Sequence, residues 1–253
     1  MTRRLEGTVA LVTGASSGIG EATAVALAAE GATVAVAARR RDRLEALAER
    51  IGDDAEVLVL ETDITDEASA QVMVESTVRE FGRLDTLVNN AGVMLLGPIV
   101  DAPVEEWRRM IELNVLGLLY CTHAALPHLL RAAETDPRRV ADVVNVSSVA
   151  GRVARLGSGV YNASKFGVVA FTESLRQEVT RRHVRASVIE PGAVMTELAT
   201  HNRPEIIETM RANFGQMEMM RSEDIAEAIL FTITRPRHVA VNEILIRPTE
   251  QER

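Results

Sequence analysis

The chain has 253 residues, 47% hydrophobic and 25% charged, which is enough sequence for one α/β domain with a full core. Its net charge of −8 argues against a nucleic-acid surface, and its single cysteine, Cys121, excludes an internal disulfide and fits a reducing compartment. Nothing before Leu5 reads as a signal peptide and no uninterrupted apolar run has the length of a membrane span, so a cytoplasmic protein with no membrane partner is expected.

Val9 to Val12 is a short apolar run suited to a strand buried on both faces. Gly14, Gly18 and Gly20 then make a tight turn that includes Ser16, Ser17 and Ile19. Glu21 to Glu30 continues as a helix that Gly31 ends, and Ala32 to Ala38 is a second buried strand. Strand, glycine turn, helix and strand form a βαβ unit. Glycines at such a turn let backbone amides approach a diphosphate at the positive end of the helix. The spacing is TGxxxGxG rather than GxGxxG, and in this context it predicts dinucleotide binding.

The 2′-OH of NAD is usually read by an acid at the end of the second strand. Here that strand ends at Ala38 and is followed by Arg39, Arg40 and Arg41. Arg39 can fork onto a 2′-phosphate with charge-assisted hydrogen bonds, and Arg40 can assist, so NADP(H) is the expected cofactor. Part of the basic cluster that runs to Arg43 reads equally well as a solvated helix start. Ser17 is neutral, which leaves the second strand to supply the positive charge.

Further apolar runs at 56–60, 84–89, 140–147, 185–190 and 241–246 alternate with amphipathic stretches. Seven such runs predict a Rossmann-type doubly wound, seven-stranded parallel sheet with helices on both faces, as a single domain over residues 1–253. Loops beyond the strand C-termini gather the ligand site, which brings Gly14, Asn90, Ser148 and Pro191 together. Two long helices, over 104–133 and 159–182, carry apolar residues on more than one face. Leu116, Leu119, Phe166, Val169 and Phe171 therefore suit either the core or a subunit contact. Cys121 reads as buried packing. The five histidines suggest no metal site, because His123 and His128 are five apart and diverge on a helix.

Tyr161 and Lys165 are four apart, which stacks them on one helical face. A lysine ammonium beside a tyrosine stabilises the phenolate and makes the phenol a proton donor and acceptor near neutral pH. A serine hydroxyl from another segment can hold a carbonyl oxygen beside that phenol.

The glycine turn and the Tyr161–Lys165 pair together resemble the short-chain dehydrogenase/reductase family. Asp63-Ile64, Asn89-Asn90-Ala91-Gly92, Asn114 and Pro191-Gly192 occur in the family's order and spacing, and the likeness covers about residues 5–248. It implies that Ser148, thirteen residues before Tyr161, is the serine of the catalytic set, and that neighbouring Ser147 satisfies backbone groups. It implies that Tyr161 protonates a carbonyl oxygen as hydride arrives from the nicotinamide. Lys165 then lowers the phenol pKa and holds the nicotinamide ribose, and Asn114 links Lys165 to a water chain. Asp63 would accept from the adenine amine, although it also reads as a cap for the helix starting near Thr65. Asn90 resembles the residue at a ribose, Asn89 is expected to brace the sheet, and Pro191-Gly192 with Val194 and Thr196 would close over the nicotinamide. Residues 194–220, which hold Met195, Met210, Met217, Met219 and Met220, are expected to form a substrate lid, or else to pack methionines into the core or a subunit contact. Val93, Leu95, Leu96 and Leu156 would add an apolar pocket wall.

The expected activity is NADPH-dependent reduction of a small-molecule aldehyde or ketone, or the reverse alcohol oxidation. An epimerase or dehydratase that recycles its cofactor is one alternative, and a non-catalytic NADP(H)-sensing protein is another. Family members commonly pair through the two long helices, so a homotetramer is expected, with a dimer second.

Overall fold

The computed structural model describes residues 3–52, 55–135, 137–214 and 217–252. Seven strands form one sheet: β1 Val9–Thr13, β2 Thr33–Ala38, β3 Val57–Glu61, β4 Thr86–Asn89, β5 Ala141–Val146, β6 Val184–Pro191 and β7 Glu243–Ile246. Their spatial order is β3-β2-β1-β4-β5-β6-β7 and every pairing is parallel. The seven predicted strands are thus all present, with ends shifted by one or two residues. Strand order reverses between β1 and β4, and that switch point opens a crevice beyond the strand C-termini.

Side-chain alternation explains why the strands read as unbroken apolar runs. Ala10 and Val12 of β1 pack with Leu27 of α1 (Gly18–Ala29), Leu44 and Leu47 of α2 (Arg41–Ile51) and Ile225 and Ile229 of a helix over Ser222–Ile233. Val9 and Leu11 pack on the opposite face with Met73 and Val74 of α3 (Glu67–Phe81). The same cluster holds Cys121, Ala125 and Leu129 of one long helix and Leu175 and Val179 of another. Cys121 is buried, and desolvation pushes its thiol up to about 12, so it packs as an inert hydrophobe.

The helix expected over 104–133 is interrupted. α4 (Val104–Ile111) passes through a wider π-turn, Glu112–Gly117, into α5 (Leu118–Ala132). Such turns add one residue to the helical circuit and re-aim the side chains they carry. By length and composition the 104–132 stretch resembles a membrane span, but α5 lays its apolar stripe on the sheet and on α3. α6 (Gly159–Val179) follows β5 and lies against β6, with one further turn to Arg182. After β6 the chain makes an excursion through α7 (Pro204–Phe214) before α8, the helix at Ser222–Ile233.

At the strand ends opposite the crevice, Arg185 is 6% exposed and donates to both Asp142 oxygens at 2.7 and 3.0 Å. It also donates to the carbonyls of Ile233 and Val239, joining β5, β6 and the end of α8. Removing one partner of a buried pair strands the other's charge. Asp142→Ala should therefore cost about 3–5 kcal/mol in urea unfolding, with ligand affinity of the folded fraction unchanged. A loss under about 1 kcal/mol would show that this pair does not secure the lower edge.

Candidate active site

The glycine turn is built for close backbone approach. Gly14 has φ +66, and a Cβ there would lie 2.8 Å from the Ala91 Cα; at Gly20 a Cβ would lie 2.5 Å from the Gly14 carbonyl oxygen. No residue but glycine fits either position without moving the backbone. Asn90 ties the turn to β4, its amide nitrogen donating to the carbonyls of Thr13 at 3.0 Å and Gly14 at 3.3 Å. Ser17 occupies the N-cap of α1 in extended conformation but gives the helix no side-chain cap. The positive end of α1 therefore faces a cavity of about 990 Å³.

That cavity follows the crevice from Arg39, Arg40, Asp63 and Ile64, past Ser16–Ile19 and Asn90–Gly92, to Ser148, Tyr161 and Lys165. Pro191, Gly192, Val194 and Thr196 complete its lining on the β6 side. Of the residues assigned from sequence to catalysis or the cofactor turn, Gly20 and Asn114 do not line it. A glycine cradle that any Cβ would fill, an uncapped helix start and an elongated cavity together fit a dinucleotide.

At the far end the reactive side chains converge from three segments. Tyr161 is 6% exposed and Lys165 likewise 6%, both on α6. The Ser148 hydroxyl follows β5, accepts from the Ala150 amide at 3.1 Å and stands close enough to the Tyr161 phenol to favour its ionised form. Lys165 Nζ donates to the Val146 carbonyl at 2.9 Å and lies 5.9 Å from the Tyr161 ring centroid. Asn114, carried on the π-turn, accepts from the Val93 amide and donates to its carbonyl, both at 2.8 Å, and donates to Ser164 at 3.2 Å. A Cβ on Gly92 would meet Asn114 Oδ1 at 3.3 Å and Lys165 Nζ at 3.7 Å, so both side chains close around that glycine.

Several finer expectations divide. Ser147 donates to the Lys165 carbonyl at 3.0 Å, the backbone role expected of it. Asn89 donates to Thr122 and Asn145, both at 2.9 Å, and so braces β4 against β5 and α5. Asp63 accepts from the Thr65 amide and hydroxyl, while the cap of α3 is Asp66, which accepts from the Ser69 amide. Leu95 lies in a small core with Met110 and Tyr161 rather than on the cavity wall, which Val93, Leu96 and Leu156 do line. The methionines separate: Met210 and Met219 line the cavity, Met220 joins the core and Met195 is exposed.

One expectation is corrected. Burial raises the Tyr161 phenol above its ordinary value, with Ser148 as the opposing influence, instead of Lys165 lowering it. Desolvation penalises the phenolate, and the Lys165 ammonium is directed to a carbonyl rather than to the phenol oxygen. Desolvation also lowers Lys165 itself, to about 8.

Sequence reasoning missed the anchors of residues 194–220; positions 215 and 216 of that stretch lie outside the described residues. Met195 and Val194 pair with Met220, so the excursion leaves and returns at one place beyond the end of β6. Asn202 mimics a peptide group: it accepts from the Leu96 amide at 2.7 Å and donates to the Met94 carbonyl at 2.9 Å. Glu197 accepts from Arg40 at 2.8 Å and from Arg43 at 2.5 Å. Gln251 accepts from the Ala193 amide at 2.9 Å and lines the cavity from the C-terminus. None of these residues carries a local sequence signal.

A doubly wound sheet with a dinucleotide cradle and a buried Tyr–Lys pair beside a serine defines a nucleotide-dependent oxidoreductase. The chain belongs to the short chain dehydrogenase family, whose family model matches residues 8–206, and it is an oxidoreductase of that family. It is 37% identical over 247 residues to an uncharacterized oxidoreductase of Staphylococcus saprophyticus, covering 96% of each chain. Among solved structures it is similar to the closed form of a serine dehydrogenase complexed with NADP+, at 31% identity, TM-score 0.88 and 97% coverage of each chain. It is also similar to a 3-ketoacyl-(acyl-carrier-protein) reductase of Brucella melitensis complexed with NADH, at 30% identity and TM-score 0.84, covering 97% of this chain and 98% of that one.

Lys165 sets a pH-dependent stability. Its ordinary value is 10.5 and its folded value about 8, so between those pH values the unfolded chain binds more protons and stability rises with pH. Below pH 8 the buried charge opposes folding in full. Lys165→Met should therefore stabilise the fold by about 1–3 kcal/mol at neutral pH, a gain that fades toward the ordinary lysine range. Paired thermal unfolding of both proteins across that range reads the effect, and a destabilised variant at neutral pH would contradict it.

Proposed function

We propose that the protein is an NADPH-dependent reductase of a small-molecule aldehyde or ketone, or the reverse alcohol dehydrogenase. The observation that carries this reading is the meeting of Tyr161, Ser148 and Lys165 at one end of a cavity whose other end holds the glycine turn and Arg39. The cofactor would supply or accept the hydride at the carbonyl carbon. The Ser148 hydroxyl holds the substrate oxygen against the phenol. Tyr161 delivers a proton to that oxygen in reduction and takes it back in oxidation. Lys165 stabilises the phenolate that remains, and Asn114 fixes the backbone of Val93 beside it. The missing acid at Ala38 and the exposed Arg39 favour a 2′-phosphate over a 2′-OH. Residues 194–220 serve as the substrate lid, tied down by Asn202, and the pocket beneath is walled by Val93, Leu96 and Met210.

The phrases Val93–Pro98, Ala125–Arg131 and Ile246–Thr249 resemble clavulanate dehydrogenase, and an aldehyde of that kind is the first specific substrate to try. For assembly we propose a cytoplasmic homotetramer, with a dimer second. Leu116 and Phe166 are exposed on the two long helices, whereas Leu119, Val169 and Phe171 are half-buried.

Tyr161→Phe keeps the ring and removes the hydroxyl. Turnover should fall by about 10²–10⁴ with cofactor binding nearly intact, and a variant retaining half the activity would end the assignment. Ala38→Asp with Arg39→Ile should shift preference from NADPH toward NADH by about 1.5–3 kcal/mol. A wild type that already prefers NADH would show the reading of Arg39 to be wrong. Light scattering should give several chains per particle; the mass of a single chain at micromolar concentration would rule out both assemblies.

A further inference from the structure

The two arginines nearest the adenosine end of the cavity are in different states. Arg39 is exposed and makes no hydrogen bond or ion pair among the described residues. Arg40 is fully engaged. Its Nε and Nη2 donate to Ser16 Oγ at 3.1 and 2.9 Å, Nη2 donates also to Ser17 Oγ at 2.8 Å, and Nη1 donates to Glu197 at 2.8 Å. The other oxygen of Glu197 takes Arg43 at 2.5 Å. A single carboxylate from the loop after β6 thus neutralises two of the guanidinium groups that follow β2. Ser16, Ser17, Arg39, Arg40 and Glu197 all line the same cavity.

These contacts hold the loop down on the glycine turn. Thr196, which caps the short helical turn Glu197–His201, has its methyl 3.2 Å from where a Cβ on Gly18 would stand. Arg43 and Arg40, in that order, pull the Glu197 carboxyl down to about 2, so it stays ionised and is displaced by another anion, not by protonation. The pairs are replaceable, since Arg40 and Glu197 are each 39% exposed and Arg43 is 44% exposed. A phosphate dianion offers the same arginines more charge than a carboxylate and is repelled by one left in place.

We propose that Glu197 is a displaceable occupant of the 2′-phosphate site: it holds Arg40, with Arg43 on its other oxygen, until a 2′-phosphate takes Arg40, and that exchange unlatches the loop over Thr196–Asn202. The inference rests on the NADP(H) reading and adds to it that cofactor phosphate and lid compete for Arg40. The lid of this chain is thereby sensitive to whether the bound nucleotide carries a 2′-phosphate.

The test uses adenosine 2′,5′-diphosphate and adenosine 5′-diphosphate as probes, titrated calorimetrically into the full-length protein. Glu197→Gln should tighten the 2′-phosphorylated probe by about five- to tenfold and leave the other unchanged. Glu205→Gln, an exposed acid paired with Arg203, should alter neither. In wild type, hydrogen exchange of peptides spanning residues 196–202 should be faster with the 2′-phosphorylated probe bound than with its counterpart. Equal effects of Glu197→Gln on both probes, or a weakened 2′-phosphorylated probe, would overturn the competition, and equal exchange with the two probes would overturn the unlatching. If wild type does not distinguish the probes and Arg39→Ile changes nothing, the NADP(H) reading itself fails. If wild type distinguishes them and Glu197→Gln leaves the preference as it was, only the latch fails.

Discussion

A charged lysine buried without a carboxylate is the constraint around which the reactive end of this molecule is organised. Among the described residues Lys165 makes no ion pair, and the Val146 carbonyl is the partner its ammonium finds. Such a group destabilises the fold in its charged form, so the surrounding backbone has to be held rigidly enough to keep it in place. That rigidity is visible. Ser147 bonds the Lys165 carbonyl, Asn145 donates to Thr172 at 2.8 Å further along α6, and Asn162 donates to the carbonyls of Ala150 and Val153. α6 is thereby fastened to the end of β5 at several points. The Tyr161 phenol and the Ser148 hydroxyl meet because those two elements cannot slide.

Burial also gives the two reactive groups opposed tendencies. The phenol is pushed up and the lysine down, so each is biased toward its neutral form in the chain alone. A proton donor that stays protonated until a partner charge arrives suits reduction, because the phenolate forms only while the proton is being delivered. The ammonium then has a nearby anion to stabilise. The stability lost by burying Lys165 and the proton transfer assigned to Tyr161 are thus two consequences of one desolvated pocket.

Much of the fold was legible because buried parallel strands leave a strong trace. Val9–Val12 and Thr33–Ala38 are apolar on both faces, and the glycines at 14, 18 and 20 announce a turn that only glycine can make. The Tyr161–Lys165 spacing likewise states a shared helical face. What stayed hidden depends on contacts between segments far apart in sequence. The wide turn at Glu112–Gly117 has no composition of its own; it carries Asn114, which pairs with both backbone groups of Val93. Glu197 reads as an ordinary exposed acid until the fold brings it beside Arg40 and Arg43, 157 and 154 residues away. The raised phenol was missed because spacing alone does not reveal how much water reaches a side chain.

Net hydride transfer coupled to a proton from Tyr161 is the activity assigned to this site. The measurement that meets it most directly is NADPH absorbance against a panel of aldehydes and ketones, clavulanate-type aldehydes included, with the products quantified. The account predicts that one NADPH disappears for each alcohol formed. Product appearing while net NADPH stays constant would place the chain with cofactor-recycling epimerases or dehydratases, and NADPH binding with no turnover of any carbonyl would make it a sensor; either result contradicts the claim.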